Sequence, residues 1–163
     1  RAAYYVNYPG YGGSSGSPTE TTLTQSARAV YEYVSARHSS VAIVGRSLGT
    51  GVAVKLASEY AVSHLVLISP YDSIANVASK YYPFFPSSLI KDKFDSVSLA
   101  SKIRAKTLVI MARDDIIIPI SHSQRLIEAL NQTQPINQVY KHANHNNVHL
   151  MDGFMGLIRD FLG

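Results

Sequence analysis

The sequence predicts an α/β fold, a mostly parallel sheet with helices on both faces. Three observations predict it. Short apolar runs alternate with segments of helical period, as in repeated strand–helix units. Most of these runs are apolar throughout, as in strands covered on both faces. A Gly-x-Ser-x-Gly, residues 45–49, stands between one such run and the next helix with no loop between them. In open sheets of this kind ligands bind beyond the carboxyl ends of the strands, so chemistry is expected just after each run. The 163 residues read as a single domain, 1–163, with residues 71–98 as a short cap-like insertion.

The elements follow in order. Residues 2–8 (AAYYVNY) are apolar and aromatic and predict a buried strand. Residues 9–18 (PGYGGSSGSP) are a Gly/Ser/Pro loop. Thr19 or Thr21 can cap a helix to about Arg37, because Leu23, Ala27, Val30, Tyr31 and Val34 share one face. Residues 41–44 (VAIV) predict a second strand, and a helix over 48–60 carries Leu48, Val52, Leu56 and Tyr60 on one stripe. Residues 64–70 (HLVLISP) predict a third strand, whereas 71–98 mix aromatics and prolines and fit no simple strand–helix unit. A fourth strand is expected at 106–112 (KTLVIMA), a helix from Pro119 to about Asn131, a fifth strand at 136–141 (INQVYK) and a last helix at 147–162.

Composition narrows the function. Hydrophobic residues make up 46% and charged residues 16%, which is globular rather than disordered. The formal net charge of +4 is spread over scattered Lys and Arg, so no nucleic-acid stripe is present and the basic bias reads as a solvated surface. The absence of cysteine excludes disulfides, thiolate zinc sites and a thiol nucleophile. No apolar run approaches the roughly 20 residues of a membrane span. The compartment is not fixed by these features, the reading leaning to the cytoplasm. The chain opens on Arg1 rather than Met and is expected to be a processed or truncated piece.

Gly45-Arg46-Ser47-Leu48-Gly49 is where the chemistry starts. A sharp strand-to-helix turn needs small neighbours, pushes the serine hydroxyl above the sheet edge, and aims the Leu48 amide at a developing oxyanion. Gly12-Gly13-Ser14-Ser15-Gly16 matches the same pattern, but it lies in a loop and Ser17-Pro18 separates it from the next helix. Nothing there would hold Ser14 in a strained, exposed turn.

A serine hydroxyl needs an adjacent base, and the base needs a group to orient it. The run at 106–112 ends at Arg113-Asp114-Asp115, and either carboxylate could orient a histidine, although Asp114 suits a turn or cap. The run at 136–141 is followed by His142 and His145, either of which could reach the serine. The order Ser, Asp, His along the chain is the order used by a strand–turn–helix nucleophile. His38, His64, His122 and His149 read as solvated surface residues. A zinc site from His142, His145 and His149 would need a helix that the Asn-rich loop opposes, so no metal is expected.

Four segments carry a resemblance to a known family. NYPGYGGSSGSPTE resembles a Y-R-G-Y-G-x-S-x-G-x-P-[ST]-E turn, GRSLGTG resembles a nucleophile elbow, ARDDIIIP resembles G-x-x-D-x-x-V-P, and HANHNN resembles G-A-x-H-N-D. Together, and in this order over essentially the whole chain, they resemble the serine-hydrolase, abhydrolase-domain branch of the α/β-hydrolase superfamily. The resemblance implies Ser47 as nucleophile, Asp115 rather than Asp114 as acid, and His145 rather than His142 as base. Tyr8-Pro9 stands where the family has Tyr-Arg, and Ala112 where a glycine is common.

The resemblance also implies an N-terminally truncated α/β-hydrolase fold. In the family three strands precede the NYPGYG turn, and the loop after the third carries a His-Gly motif that supplies the second oxyanion amide. The third strand would lie between 2–8 and 41–44.

The expected activity is hydrolysis of a carboxylic ester or thioester through an acyl-enzyme on Ser47, with Leu48 donating to the oxyanion and no cofactor or metal. A peptidase is the lesser alternative. The expected partner is a small acyl substrate, with Tyr71, Tyr81, Phe84 and Phe85 expected around it, as apolar pocket or simply as core. Loss of one oxyanion donor costs about 10²- to 10³-fold in rate. The alternative function is therefore a catalytically weak or inactive module acting in binding or assembly, and an open sheet edge would allow an oligomer.

Overall fold

The computed structural model describes residues 2–82, 84, 86 and 89–163. Four parallel strands, β1 (Ala42–Arg46), β2 (His64–Ile68), β3 (Lys106–Ala112) and β4 (Ile136–Tyr140), pair in sequence order. The register sets Arg46 beside Ile68, Ile68 beside Ile110, and Ala112 beside Tyr140. The carboxyl ends therefore fall along one edge, and the loops that follow them meet there.

Helices α2 (Leu48–Glu59), α3 (Ile74–Tyr81), α4 (Ser96–Ala100) and α5 (Ile120–Ala129) form the crossovers, while α1 (Glu20–Ser35) precedes β1 and α6 (Phe154–Leu162) follows β4. Thr19 caps α1 in a reciprocal arrangement, its hydroxyl accepting from the Thr22 amide while Thr22 Oγ1 accepts from the Thr19 amide. Strand alternation divides the core. Leu65, Leu67, Val109 and Met111 pack under α1, α2, α4 and α5 through Tyr31, Val54, Ala100 and Leu126. Val66, Ile68, Leu108 and Ile110 face the other way, onto Phe154 and Ile158 of α6. Helices thus cover both faces, and the sheet is parallel throughout. A third cluster, with Leu23, Val52, Tyr71, Val77, Phe94 and Ile118, joins α1, α2 and α3 behind the serine turn.

Three expectations differ from the structure. Residues 2–8 form no strand, and Tyr5 is 94% exposed. A strand exists only where a neighbour takes its amides, and this segment instead lays Tyr4 against Tyr33 and His38 of the α1 region. Among the described residues β1 is an edge of the sheet, with Val44 52% exposed.

The C-terminal segment is not one helix over 147–162. It begins as a 3₁₀ turn, Val148–Leu150, and α6 starts only after Gly153, whose φ of 76° interrupts helical continuation. Residues 71–98 contain α3 and the start of α4, short helices whose side-chain caps are Ser73 and Asp95.

Candidate active site

Ser47 occupies the one-residue turn between β1 and α2 with φ 50° and ψ −123°. Gly45 permits that turn: a Cβ there would sit 2.7 Å from the Gly49 carbonyl oxygen and 2.8 Å from Ala53 Cβ. Gly49 is different, since a Cβ on it would meet nothing within 4 Å among the described residues. Backbone bonds hold the strained residue. The Ser47 amide donates to the Ile68 carbonyl at 2.9 Å, and the Ser47 carbonyl accepts from the Thr50 amide at 2.9 Å and Thr50 Oγ1 at 2.6 Å.

The loops after β3 and β4 bring two groups to this serine. His145 Nε2 lies 2.9 Å from Ser47 Oγ, and His145 Nδ1 lies 2.7 Å from Asp115 Oδ2. Both Asp115 and His145 are buried. Asp115 Oδ1 accepts from the amides of Ile117 and Ile118 at 3.0 and 2.8 Å, so one carboxylate oxygen is held by backbone and the other faces the imidazole. With Nδ1–H donating to the carboxylate, Nε2 is the acceptor presented to the serine hydroxyl.

The histidine loop is held as firmly. Asn144 Oδ1 accepts from the amides of Asn146 and Asn147, and Asn147 Oδ1 accepts from the Asn144 amide at 2.7 Å. Arg46, next to the serine, donates to the His145 carbonyl at 2.8 Å, and the Asp114 amide donates to the Ala143 carbonyl at 2.9 Å.

The other candidates fall elsewhere. Asp114 and His142 are exposed, and Ser14 lies in the loop turn where its amide donates to the Tyr11 carbonyl. Tyr71, named among the substrate aromatics, is wholly buried, and its hydroxyl donates to the Leu48 carbonyl at 3.1 Å. It therefore stands behind the serine turn rather than at its mouth. Tyr81 extends from α3 and donates to the carbonyls of Ile116 and Ile117, beside Asp115. Phe84 is 99% exposed, and Phe85 lies outside the described residues.

His122 is a correction. Expected as a solvated residue, it is buried on the inner side of α5, with Nδ1 2.7 Å from Asp72 Oδ1. Asp72 also accepts from the Ser73 amide, Asn76 Nδ2 and Arg125 Nε. Burial opposes its ionisation, but Arg125, His122, Asn76 and Ser73 outweigh that and hold the carboxyl below its ordinary range. Arg125 Nη2 also approaches His122 Nδ1 to 2.7 Å. One nitrogen cannot donate to Asp72 and accept from Arg125 through the same position, and the carboxylate is the stronger partner, so Nδ1–H points to Asp72. The helical period of α5 placed His122 on the same side as Leu126, which is the signal that could have marked it as buried. A cavity of about 480 Å³ adjoins this cluster, lined by Asp72, Asn76, Lys93, Arg125 and Glu128 among others, and not by Ser47 or His145.

An all-parallel sheet with a serine in a strained turn after one strand, and acid and histidine loops after two others, is the architecture of the α/β-hydrolase superfamily. The description serine hydrolase (FSH1) names the family model that matches residues 6–149, and the chain belongs to that family. An uncharacterized protein of Mycobacterium tuberculosis is 36% identical over 163 residues, covering 96% of this chain and 58% of that protein. Alpha/beta hydrolase domain-containing protein 17B of Homo sapiens is 31% identical over 164 residues, covering 98% of this chain and 55% of that protein. The chain thus spans less than two thirds of either relative.

Solved structures share the fold. The Pyrococcus furiosus esterase Pf2001 superposes with a TM-score of 0.71 at 17% identity, over 96% of this chain and 66% of that one. MGS-M2, an alpha/beta hydrolase enzyme from a Medee basin deep-sea metagenome library, gives 0.72 at 16% identity, over 93% and 76%.

Proposed function

We propose that this chain carries the catalytic triad of a serine hydrolase that cleaves a carboxylic ester or thioester. The observation that supports it above all others is His145, with one ring nitrogen 2.9 Å from Ser47 Oγ and the other 2.7 Å from the buried Asp115. In this reading Ser47 Oγ attacks the carbonyl carbon as its proton passes to His145 Nε2. Asp115 keeps the imidazole in the right tautomer and stabilises the imidazolium.

The tetrahedral oxyanion is met by the Leu48 amide at the start of α2, where the helix dipole adds a favourable field. His145 then gives its proton to the leaving alkoxide or thiolate, and Ser47 retains the acyl group. Water attacks that acyl-enzyme, His145 takes its proton and returns it to Ser47, and a carboxylic acid departs. Of residues 71–98, Tyr81 at the end of α3 lies beside the acid, and with the exposed Ile116 and Ile117 it offers apolar surface to a substrate there.

The test is covalent labelling of the chain with a fluorophosphonate, read by intact mass and peptide mapping. A single adduct on Ser47, absent from Ser47→Ala, is the expected result. A folded chain that takes no adduct would instead support the second reading, a catalytically weak module acting in binding.

A further inference from the structure

Resting on the serine-hydrolase reading, the geometry points to Tyr71 as a positioning residue that anchors Leu48, whose amide faces the oxyanion, through the carbonyl of the next peptide at the start of α2. The hydrogen-bonding groups of residues 47 and 48 can be accounted for one by one. The Ser47 amide is held by the Ile68 carbonyl, the Ser47 carbonyl by Thr50, and Ser47 Oγ by His145. The Leu48 carbonyl accepts the Tyr71 hydroxyl at 3.1 Å. Among the described residues the Leu48 amide alone has no acceptor, and it is the group that meets the oxyanion. The first turn of a helix leaves such amides unpaired, and what remains is to hold this one still.

Three residues combine to put the Tyr71 hydroxyl there. Gly51 makes the space: a Cβ on it would lie 2.2 Å from the Tyr71 hydroxyl oxygen and 3.0 Å from Phe94 Cβ and Cδ1. Phe94 closes the other side. It is buried, and its φ of 40° is an outlying conformation for an aromatic residue. That conformation is held from α1, whose Glu20 accepts from the Phe94 amide at 3.0 Å while the Glu20 amide donates to Asp92 at 2.8 Å. Strain maintained by a reciprocal pair of bonds marks a position the fold over-determines. Burial pushes the Tyr71 phenol far above its ordinary range, only partly offset by the Gly51 amide, so the hydroxyl stays protonated and a donor.

This assigns a purpose to a glycine outside the Gly-x-Ser-x-Gly pattern. Gly49 has open space around its missing side chain, whereas Gly51 is where a side chain cannot fit without displacing the phenol. Tyr71 acts through Leu48 and touches neither substrate nor reacting atoms.

The test compares wild type, Tyr71→Phe, Gly51→Ala and the double variant. Each is assayed for kcat and KM on a p-nitrophenyl ester, for affinity toward a trifluoromethyl ketone that mimics the tetrahedral adduct, and for thermal midpoint. Loss of one such hydrogen bond predicts a fall of about three- to tenfold in kcat for Tyr71→Phe, with KM unchanged. Ketone affinity should fall by the same factor. Gly51→Ala, which displaces the phenol without removing it, should give a comparable kcat loss, and the double variant should be no worse than the single ones.

A Tyr71→Phe variant within twofold of wild type in kcat and ketone affinity overturns the inference, as do fully additive losses in the double variant. Failure of the underlying reading looks different: Ser47→Ala then labels or hydrolyses as well as wild type, and the inference falls with it.

Discussion

His145 and His122 each place Nδ1 2.7 Å from a buried aspartate that follows a strand, Asp115 after β3 and Asp72 after β2. The pairs differ in what surrounds them. Asp72 accepts from a guanidinium, an imidazole, a side-chain amide and a backbone amide. Its charge is matched within the protein, and it pins α3 and α5 together, while its carbonyl accepts from the Ser96 and Val97 amides of α4. Asp115 has no cation of that kind among its hydrogen-bond partners in the described residues, and the far nitrogen of its histidine ends on a hydroxyl in a strained turn. A buried histidine–aspartate pair closed by an arginine is a structural clamp. The same pair left open toward a serine is the arrangement that the proposed reaction uses to pass a proton. Distance alone does not separate the two; the partners of the remaining nitrogen and oxygen do.

The largest expected effect is at the open pair. Ser47→Ala and His145→Ala should each abolish fluorophosphonate labelling and lower ester hydrolysis by on the order of 10⁴-fold or more, since triad members fail as a unit. Asp115→Asn should keep the shape but favour the wrong tautomer, lowering kcat by about 10³- to 10⁴-fold with little change in the midpoint of urea unfolding. A variant that is both folded and fully active would erase the distinction between the two pairs.

At the closed pair the ordering reverses. Asp72→Asn should leave kcat within a few fold but cost about 2–3 kcal/mol of stability at neutral pH, because His122 and Arg125 lose their charged partner. The pH dependence has a definite sign. The folded carboxyl of Asp72 lies below the ordinary 3.8, so its contribution is complete above that value and is lost as pH falls through the depressed one. In urea melts taken from pH 7 downward, the gap between wild type and Asp72→Asn should therefore hold above 3.8 and narrow as pH falls below it.

The smallest effect is expected at Glu59, whose carboxyl is held low by Arg28 and then Lys55, against partial burial. Its bond to Arg28 is 2.7 Å, but both side chains reach solvent. Glu59→Gln should cost about 0.5 kcal/mol, fading as salt is raised in the same melts.

Legibility in the sequence follows range of action. The strand at 106–112 and the helix capped by Thr19 were readable because apolar period and capping are properties of neighbouring residues. The serine turn was readable for the same reason: strand, glycine, serine and helix are contiguous. Residues 2–8 misled because their composition suits a strand, while strand formation depends on a partner elsewhere. His122 misled because its neighbour Asp72 is 50 residues away. Tyr71 could be read as pocket or core, and only the packing of α2 under it shows that it backs the turn.

By itself the sequence determined the alternation of strands and helices, the parallel sheet that alternation requires, and a serine placed after one strand with acids and histidines after two later ones. These rest on local periodicity and on the short reach of a turn. The tertiary structure decided which histidine meets which carboxylate, which pair is neutralised by an arginine, and which glycine has no room for a side chain. Those outcomes depend on contacts between residues far apart in the chain, where burial and hydrogen-bond partners are set by the elements that pack together.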